Sequence, residues 1–294
     1  MINLIALWHR IFPSKKQQEW SIGIYEGSNP FSMSPTKKNP VLTKENVTDR
    51  KAAYVADPFI IKVNDLWYMF FEVKEKIGYQ TYIAYATSKD GLKWKYKKVI
   101  LEEEPIQSYP YVFEWQGEYY ILPESYRDNS IRLYKAKTFP EEWVLESILI
   151  KGRYVDPSIF RCNNKWWIIT STADNANMYL FYSDNLIEGW KEHPLNPIIK
   201  NDKTKARPAG RIIEYNNEFY RFAQDCSRYY GERVLVFKIT KLTETEYEEE
   251  EIGTVLDKGN LEWNSKGMHT FDAHQMEDGN WIAVVDGYKE FTKL

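Results

Sequence analysis

The sequence predicts an all-β fold, a five-bladed β-propeller with four-stranded antiparallel blades. A hairpin-like unit recurs five times along the 294 residues. The copies begin roughly 50 residues apart, which is the size of one propeller blade. Aromatic residues make up 16% of the chain, and their flat side chains suit the interfaces between packed sheets. These observations favour one ring of blades over two unrelated domains.

The repeated unit has the pattern of a β-hairpin. A polar residue, often followed by proline, opens a β-rich run. A turn containing Asn, Asp or Gly follows, and an aromatic-rich run then ends in a polar residue. The copies span residues 57–72, 109–124, 156–171, 207–224 and 271–286.

The ring is expected to close with strands from both ends of the chain. Runs that can form outer strands follow the first four copies, but the fifth copy has none behind it. Residues 20–25 would supply one, and their pairing with the last copy would leave no exposed sheet edge. We therefore expect one propeller domain over residues 20–294, preceded by an N-terminal segment over residues 1–19.

The N-terminal segment mixes apolar residues with Arg10, Lys15 and Lys16, which allows a short amphipathic helix. Such a helix either packs against the flank of the domain or lies on a membrane surface, and the sequence favours the flank. Peripheral membrane contact through residues 1–16 is the alternative. No run approaches the ~18 apolar residues that cross a membrane.

Charge and cysteine content narrow the range of partners and locations. The net charge of −3 argues against a nucleic-acid partner. Cys162 and Cys226 lie beside aromatic-rich strand patterns, which is typical of buried thiols rather than a disulfide or a metal site. We expect a reducing compartment and a cytoplasmic location, with membrane association as the alternative.

The polar ends of the hairpins are expected to meet at one mouth. The innermost strands of a propeller line its axis and run in the same direction, so their open ends share one face. Pairing across each turn would oppose Asp57 to Glu72, Tyr109 to Glu124, Asp156 to Ser171, Arg207 to Gln224, and Asp272 to Asp286.

Acids at such a mouth point to glycoside chemistry. Clustered carboxylates repel one another and must lose water, so a purely structural axis would avoid them. Paired carboxylates protonate a leaving oxygen and activate a nucleophile in glycoside hydrolysis. The predicted catalytic residues are Asp57, Glu72, Glu124 and Asp156.

Cations and histidines near the acids suggest binding of a charged substrate. Arg207 and Arg211 would offset carboxylate repulsion and hold a carboxylate or phosphate through forked hydrogen bonds. His269 and His274 could bind phosphate, transfer protons, or hold an axial metal ion together with Asp272, although this spacing supports a metal only weakly. No metal ligand is therefore assigned. The predicted substrate-binding residues are Tyr109, Arg207, Arg211, Gln224, His269, Asp272, His274 and Asp286.

The Asp-Pro openings of the first and third units resemble the five-bladed-propeller glycosidases of the arabinanase, xylosidase and invertase group. The resemblance implies that Asp57 is base or nucleophile and that Asp156 orients and tunes. The general acid of that group is a glutamate on the fourth blade. Here that stretch, Ala206 to Arg211, holds no acid, so ordinary hydrolysis is in doubt.

A second resemblance covers nearly the whole chain after residue 20. The stretches that carry it include Ala56–Phe59, Phe70–Glu72, Leu122–Ser125, Val155–Ser158, His193–Pro197, Ala206–Arg211 and Val285–Gly287. In these the chain is similar to the N-terminal domain of plant glucosamine inositolphosphorylceramide transferase and to its stand-alone bacterial relatives. This resemblance implies a role in building glycans or glycolipids.

Three hypotheses follow for a protein whose partner is a sugar or glycan. The first is a glycosyltransferase-type enzyme of surface polysaccharide or glycolipid biosynthesis. In it, Arg207, Arg211 and the histidines hold a nucleotide-sugar or sugar-phosphate donor, and Asp57 is the base on the acceptor hydroxyl. The second is a glycoside hydrolase whose general acid has moved to Glu124 or Glu72. The third is a glycan-binding module without catalysis.

Overall fold

The computed structural model describes residues 16–104 and 106–292, and it confirms a five-bladed propeller of antiparallel blades. The predicted helix over residues 1–16 lies almost entirely outside the described residues. Within the described part there is no helix long and apolar enough to cross a membrane. The only helical elements there are three short 3₁₀ turns at Lys44–Asn46, Tyr126–Asp128 and Glu262–Asn264.

The blades follow one another along the chain after two opening strands, β1 (Lys16–Asn29) and β2 (Ser32–Pro35). Blade 1 contains β3 (Ala52–Val63), β4 (Leu66–Glu75), β5 (Thr81–Ser88) and β6 (Lys95–Leu101). Blade 2 contains β7 (Ser108–Trp115), β8 (Glu118–Glu124), β9 (Ser130–Thr138) and β10 (Glu142–Lys151). Blade 3 contains β11 (Tyr154–Cys162), β12 (Lys165–Thr172), β13 (Met178–Ser183) and β14 (Lys191–Glu192).

The fourth blade has a broken inner strand. Its pieces β15 (Arg207–Pro208) and β16 (Ile213–Tyr215) both pair with β17 (Glu218–Asp225), which continues to β18 (Arg233–Leu242) and β19 (Tyr247–Leu256). Gly210 lies in the break with φ 143° and forms a parallel bridge to Phe271. A Cβ atom at this position would lie 1.9 Å from the Phe271 carbonyl oxygen, so the close approach of blades 4 and 5 requires glycine.

The last blade closes the ring as predicted. It consists of β20 (Phe271–Gln275), β21 (Trp281–Thr292) and the two opening strands, in the order β2-β1-β21-β20. β1 and β21 pair without a break from Lys16 opposite Thr292 to Gly27 opposite Trp281. The first and last strands of the described chain are therefore bound into one sheet.

Apolar side chains fill the spaces between neighbouring blades. Phe59 of blade 1, for example, packs on Tyr109 and Tyr111 of blade 2 with ring centroids 4.8 and 5.2 Å apart. Phe70 extends the same cluster and is fully buried. The high aromatic content is thus explained largely by blade packing. Cys162 and Cys226 are both free thiols, of which Cys226 is buried and Cys162 half-buried.

Candidate functional site

Three inner strands bend in the same way at the mouth. Asp57, Tyr109 and Asp156 each precede a proline, and each has a positive φ, of 53°, 49° and 49°. This left-handed conformation is unfavourable for residues other than glycine and persists only where the surrounding structure imposes it. Its recurrence at the equivalent position of three blades indicates that the mouth is built to direct these residues.

These bends shift the predicted cross-strand pairs by one residue. The register passes from Ala56 opposite Glu72 directly to Phe59 opposite Phe70, so Asp57 and its proline form a bulge. In the same way Ser108, not Tyr109, lies opposite Glu124, and Val155, not Asp156, lies opposite Ser171. The three predicted pairs are therefore wrong in register, because a bulge adds residues to one strand only.

Of the two cross-strand pairs predicted for the fourth and fifth blades, the structure confirms one and contradicts the other. Arg207 lies opposite Gln224, as predicted. Asp272 lies opposite Val284 rather than Asp286, and Asp286 pairs instead with Ile22 of β1. Asp272 therefore lies deeper along the axis than a symmetrical hairpin would place it.

Most of the predicted catalytic and binding residues do meet at the mouth. We call this group the mouth cluster, and its side chains are all nearly or fully buried. It comprises Asp57, Glu72, Glu124, Asp156, Arg207, His269 and Asp286, with Gln224 beside it.

Asp286 organises one half of the mouth cluster. Its Oδ1 accepts hydrogen bonds from the backbone N–H groups of His269 and Thr270, at 3.1 and 2.9 Å, and from His269 Nδ1 at 2.7 Å. Its Oδ2 accepts the backbone N–H of Asp57 at 2.9 Å. The side chain is fully buried. These contacts fix the imidazole and the backbone of Asp57 together.

Asp57 is the member of this half that faces the opening. Its Oδ1 accepts a hydrogen bond from Thr270 Oγ1 at 3.0 Å and lies 3.4 Å from His269 Nε2, and its side chain is 10% exposed. Sequence reasoning missed Thr270, because a threonine before a strand carries no functional signal of its own.

Two pairs of carboxyl groups, Glu72 with Asp57 and Glu124 with Asp156, lie close enough for a protonated member to hydrogen-bond to its partner. Burial, the Asp57 charge and this hydrogen bond raise the pKa of Glu72 well above its usual range. Burial and the Asp156 charge do the same for the pKa of Glu124, against the opposing charge of Arg207. Both shifts therefore favour the protonated forms of the two glutamic acids.

The pKa values of Asp57 and His269 are also raised. Burial raises the pKa of Asp57 to about 6, although the charge of His269 lowers it. For His269, burial opposes the charged form, but the charges of Asp286 and Asp57 and the Asp286 hydrogen bond outweigh it and raise its pKa. Asp57 therefore favours the carboxylate form at neutral pH, and its charge favours the imidazolium form of His269 beside it.

Arg207 is bound to the other half of the cluster. Its Nε and Nη2 donate to the two carboxylate oxygens of Asp156 at 2.6 and 3.1 Å, and its Nη1 donates to Asn175 Oδ1 at 2.7 Å. Gln224 Nε2 donates to Asp156 Oδ2 at 2.8 Å. Glu124 Oε2 accepts the Asp156 backbone N–H at 3.3 Å and lies 3.6 Å from Arg207. The forked face of this guanidinium is thus already occupied by protein.

Arg211, Asp272 and His274 form a separate group, which we call the deep cluster. Asp272 Oδ2 accepts the backbone N–H of Ile60 at 2.7 Å, and Arg211 donates to the carbonyl oxygen of Val112 at 2.8 Å. Each contact lies three residues further along its strand than the bulge, or about 10 Å deeper. The expectation that these three residues share the mouth is therefore wrong.

The deep cluster is balanced in charge. Arg211 Nε donates to Asp272 Oδ1 at 2.7 Å, and His274 Nε2 lies 3.1 Å from Asp272 Oδ2. Burial acts against ionisation of Asp272, but the charges of Arg211 and His274 and the hydrogen bonds it accepts lower its pKa. The Asp272 carboxylate is fully buried, and its lowered pKa favours the form that carries no proton.

A buried layer separates the two clusters. The Tyr109 hydroxyl lies 2.9 Å from Ser158 Oγ, which donates to the Gly210 carbonyl oxygen at 3.0 Å. Tyr109 is fully buried. The structure thus places this predicted substrate-binding residue in the lining between the clusters rather than on the surface of the mouth.

The rim carries an aromatic side chain that the sequence analysis did not select. Tyr230, in the loop between β17 and β18, is 37% exposed and covers Arg207, whose Cζ lies 5.2 Å from the ring centroid. Its ring also meets His269 edge-on at 5.2 Å. Adjacent tyrosines before Gly231 were the available signal, since exposed aromatic rings stack on the apolar faces of sugars.

Asp57, His269 and Asp286 each offer one ligand atom, and these atoms lie within 4.8 Å of one another. The predicted grouping of both histidines with Asp272 is not observed, since His269 lies in the mouth cluster and His274 in the deep cluster. Asp286 already accepts four hydrogen bonds, so a cation would compete with backbone donors. The arrangement favours proton transfer over metal binding.

Comparison with known proteins gives a family. The family model for glucosamine inositolphosphorylceramide transferase 1, N-terminal, matches residues 14–288. Glucosamine inositolphosphorylceramide transferase 1 of Oryza sativa subsp. japonica is 36% identical over 295 residues, which is 91% of this chain and 40% of the rice protein. The chain belongs to this family, and it spans well under half the length of the curated transferases it matches.

Two phosphorylases are also similar. A 1,2-beta-oligomannan phosphorylase from Thermoanaerobacter sp. is 26% identical over 152 residues, covering 48% of this chain and 49% of that protein. The solved beta-1,2-mannobiose phosphorylase from Listeria innocua superposes with a TM-score of 0.66 and 13% identity, covering 90% of this chain and 96% of that one. The second likeness shows a shared fold.

Proposed function

We propose that this member of the glucosamine inositolphosphorylceramide transferase 1 N-terminal family is a carbohydrate-active enzyme that transfers a glycosyl group at the propeller mouth. Asp57 is its general base and Glu124 its general acid. The observation that carries the proposal is the different shift in pKa of two acids in one cluster. The pKa of Asp57 is about 6, whereas that of Glu124 lies well above its usual range.

The proposed step needs both acids. Glu124 gives its proton to the leaving glycosidic oxygen as the bond to the anomeric carbon breaks. An acceptor hydroxyl forms the new bond to that carbon and loses its proton to Asp57. Glu72 holds Asp57 in place through their hydrogen bond, and Asp286 orients His269 beside it.

A glycoside fits this arrangement better than a nucleotide sugar as donor. A phosphate leaving group needs a free cation rather than a proton. Arg207 already donates two hydrogen bonds to the Asp156 carboxylate. Arg211 is bound to Asp272 and lies about 10 Å further along the axis from the mouth cluster. The available proton of Glu124 suits a sugar hydroxyl as leaving group.

Hydrolysis is the second candidate function, because water can replace the acceptor hydroxyl in the same step. Transfer is preferred, since the rice relative is named a transferase. That name also supports an acceptor of the glycolipid class. We place the activity in surface polysaccharide or glycolipid biosynthesis on this basis.

The test is a panel of oligosaccharides, aryl glycosides and nucleotide sugars, incubated with and without acceptor alcohols and analysed by mass spectrometry. Asp57→Asn and Glu124→Gln should each lower turnover by about 10²–10⁴-fold. Glu124→Gln should recover with aryl glycosides whose leaving group needs no proton. Glu118→Gln, at the far end of the same strand β8, is the matched control.

Each outcome has a distinct meaning. Free sugar without acceptor product assigns hydrolysis. Turnover of nucleotide sugars that is unaffected by Glu124→Gln contradicts the proposed acid. Saturable glycan binding with no product from any donor would leave a binding module and refute the enzyme.

A further inference from the structure

A tryptophan of the first strand lies against the imidazole of the mouth cluster. Trp20 of β1 stacks on His269 with ring centroids 4.1 Å apart and 33° between the ring planes. It also packs on Tyr288, its partner across the β1–β21 pairing, with centroids 4.5 Å apart. The indole is only 3% exposed, so a substrate in the mouth has almost none of its surface to contact. An effect of Trp20 on the mouth therefore passes through His269.

The stack restrains the rotation of the imidazole. Nδ1 of His269 lies 2.7 Å from Asp286 Oδ1, and Nε2 lies 3.4 Å from Asp57 Oδ1. The nitrogens of an imidazole donate and accept in the ring plane, so these contacts use the ring edge and leave the faces for packing. Trp20 covers a face, and Tyr230 meets the ring edge-on at 5.2 Å. A turn of the ring out of this stack would point Nε2 away from Asp57.

The backbone beside the stack is shaped to fit the indole. Gly231, with φ 69°, lies next to it, and a Cβ atom there would be 2.7 Å from Trp20 Cη2 and 3.4 Å from His269 Cβ. The close approach therefore requires glycine. Trp20 Nε1 donates to Gln18 Oε1 at 3.3 Å on its own strand. The indole is thus held from two sides.

Trp20 suits a charged imidazole without adding to the crowding of acids. The face of an aromatic ring attracts a cation, and tryptophan does so most strongly. The indole therefore favours the imidazolium form of His269 but carries no negative charge itself. The charged and titratable groups that act on His269 from the other packed elements are Asp286 of β21, Asp57 of β3, Asp156 of β11 and Tyr230 of the β17–β18 loop, with Arg207 behind the Tyr230 ring.

We propose that Trp20 is a positioning residue of the mouth, whose indole holds the His269 imidazolium with Nε2 toward Asp57 and thereby keeps Asp57 the base. A positive charge 3.4 Å from Asp57 Oδ1 stabilises the carboxylate. The role of Asp57 as base rests on the proposed function. The action of Trp20 on His269 does not, and it can be measured without turnover.

The experiment is a pH titration of the full chain followed by NMR of the histidine Cε1 protons. The chain has four histidines, and the signal that is absent from His269→Gln belongs to His269. Trp20→Leu removes the aromatic face and should lower the pKa of His269 by about 0.4–1.5 pH units. Trp20→Phe retains an aromatic face and should lower it by less than half as much.

The matched control is Trp281→Leu. It removes another buried indole, 4% exposed, from the same pair of strands, where Trp281 lies opposite Gly27. This variant should leave the titration of His269 unchanged. Replacement of all 11 tryptophans by 5-fluorotryptophan weakens the aromatic face without removing it. It should lower the pKa of His269 in the wild type and not in Trp20→Phe, which keeps the test decisive if Trp20→Leu does not fold.

Three titration results would overturn the inference. One is the same His269 pKa in the wild type and Trp20→Leu, or in the fluorinated and unfluorinated wild type when Trp20→Leu does not fold. Another is an equal shift in Trp20→Phe and Trp20→Leu, because lost volume would then explain both. The third is an equal shift in Trp281→Leu, which would assign the effect to a loosened last blade.

Turnover separates this inference from the proposed function. On the donor that the panel selects, Trp20→Leu should lower kcat by up to about 10²-fold and leave KM nearly unchanged, because the indole has almost no exposed surface. A raised KM with unchanged kcat would make Trp20 a binding residue and contradict the positioning role. If no donor is turned over but the titration gives the expected shifts, the proposed function fails while the action of Trp20 on His269 stands.

Discussion

The mouth cluster and the deep cluster are built from the same residue types and behave in opposite ways. In the mouth, five carboxyl groups meet one arginine and one histidine. In the deep cluster, one carboxylate meets one arginine and one histidine. Burial and neighbouring acids raise pKa values in the first, whereas in the second the charges of Arg211 and His274 outweigh burial and lower the pKa of Asp272. Burial is common to both clusters, so the balance of neighbouring charges decides whether the pKa of an acid is raised or lowered.

The largest expected effect concerns the deep cluster. Asp272→Asn leaves the Arg211 guanidinium largely buried without a counter-charge, so the free energy of unfolding should fall by about 3–5 kcal/mol. Urea unfolding followed by circular dichroism measures it. Glu251→Gln on the exposed strand β19 is the control and should change stability by less than about 0.5 kcal/mol. A loss below 1 kcal/mol for Asp272→Asn would remove the distinction between the clusters.

The same chemical change in the mouth should have the opposite sign. Asp57→Asn removes a buried charge from among other carboxylates, so we expect the free energy of unfolding at pH 7.5 to rise by about 1–3 kcal/mol. The amide keeps an oxygen that accepts the Thr270 hydrogen bond. Destabilisation by Asp57→Asn, measured by the same urea method, would show that this carboxylate is structural.

The pH dependence of that gain follows from the raised pKa of Asp57. The folded protein keeps the proton to about pH 6. The unfolded chain releases it near pH 4, so wild-type stability falls between these values. The advantage of Asp57→Asn should therefore be absent at pH 4, grow to about pH 6 and level off above pH 7. The pKa of His269 is raised above its ordinary value, so the imidazole favours its charged form between pH 4 and pH 6, where folded and unfolded Asp57 differ in protonation.

Asp272→Asn provides the contrast in the same titration. Its folded-state pKa is lowered, so its stabilisation is fully present above the unfolded value and lost only on further acidification. Its penalty should stay constant from pH 5 to pH 7. Urea midpoints at pH 4, 5, 6 and 7 compare the two variants directly, and parallel curves would contradict the assignment.

The smallest expected effect belongs to the rim. Tyr230→Ala removes a half-exposed ring beside Arg207 and His269, so glycan binding should weaken by about 2–13-fold with stability nearly unchanged. Tyr230→Phe retains the ring and should bind as the wild type does. Isothermal titration with whichever glycan the panel selects measures both. Equal affinity for all three proteins would exclude Tyr230 from the binding surface.

Much of the mouth could be predicted because its residues repeat with the blades. Asp57, Glu124, Asp156 and Arg207 end equivalent strands, so knowledge of the fold brings them together. The bulges could not be predicted, because a non-glycine residue before proline rarely takes a positive φ. The position of Asp272 along the axis could not be predicted for a related reason. A shift of one or two residues in the pairing of two strands changes the depth at which a side chain lies.

The contacts that sequence reasoning missed come from segments between strands. Thr270 lies just ahead of β20, and Asn175 and Tyr230 lie in connections between strands of blades 3 and 4. Their roles depend on where those loops fold relative to the axis, and periodicity carries no information about that. Tertiary geometry alone brings them to Asp57 and Arg207.

The pairing of β1 with β21 also determines when, during folding, the mouth cluster can take its final arrangement. It joins residues from opposite ends of the chain, and contacts of such separation form late because the intervening loop must first be closed. Asp286, which fixes Asp57 and His269, lies on this ladder opposite Ile22. Any conformation in which the ring is still open therefore holds the acids without this arrangement, and the proposed activity requires the complete last blade.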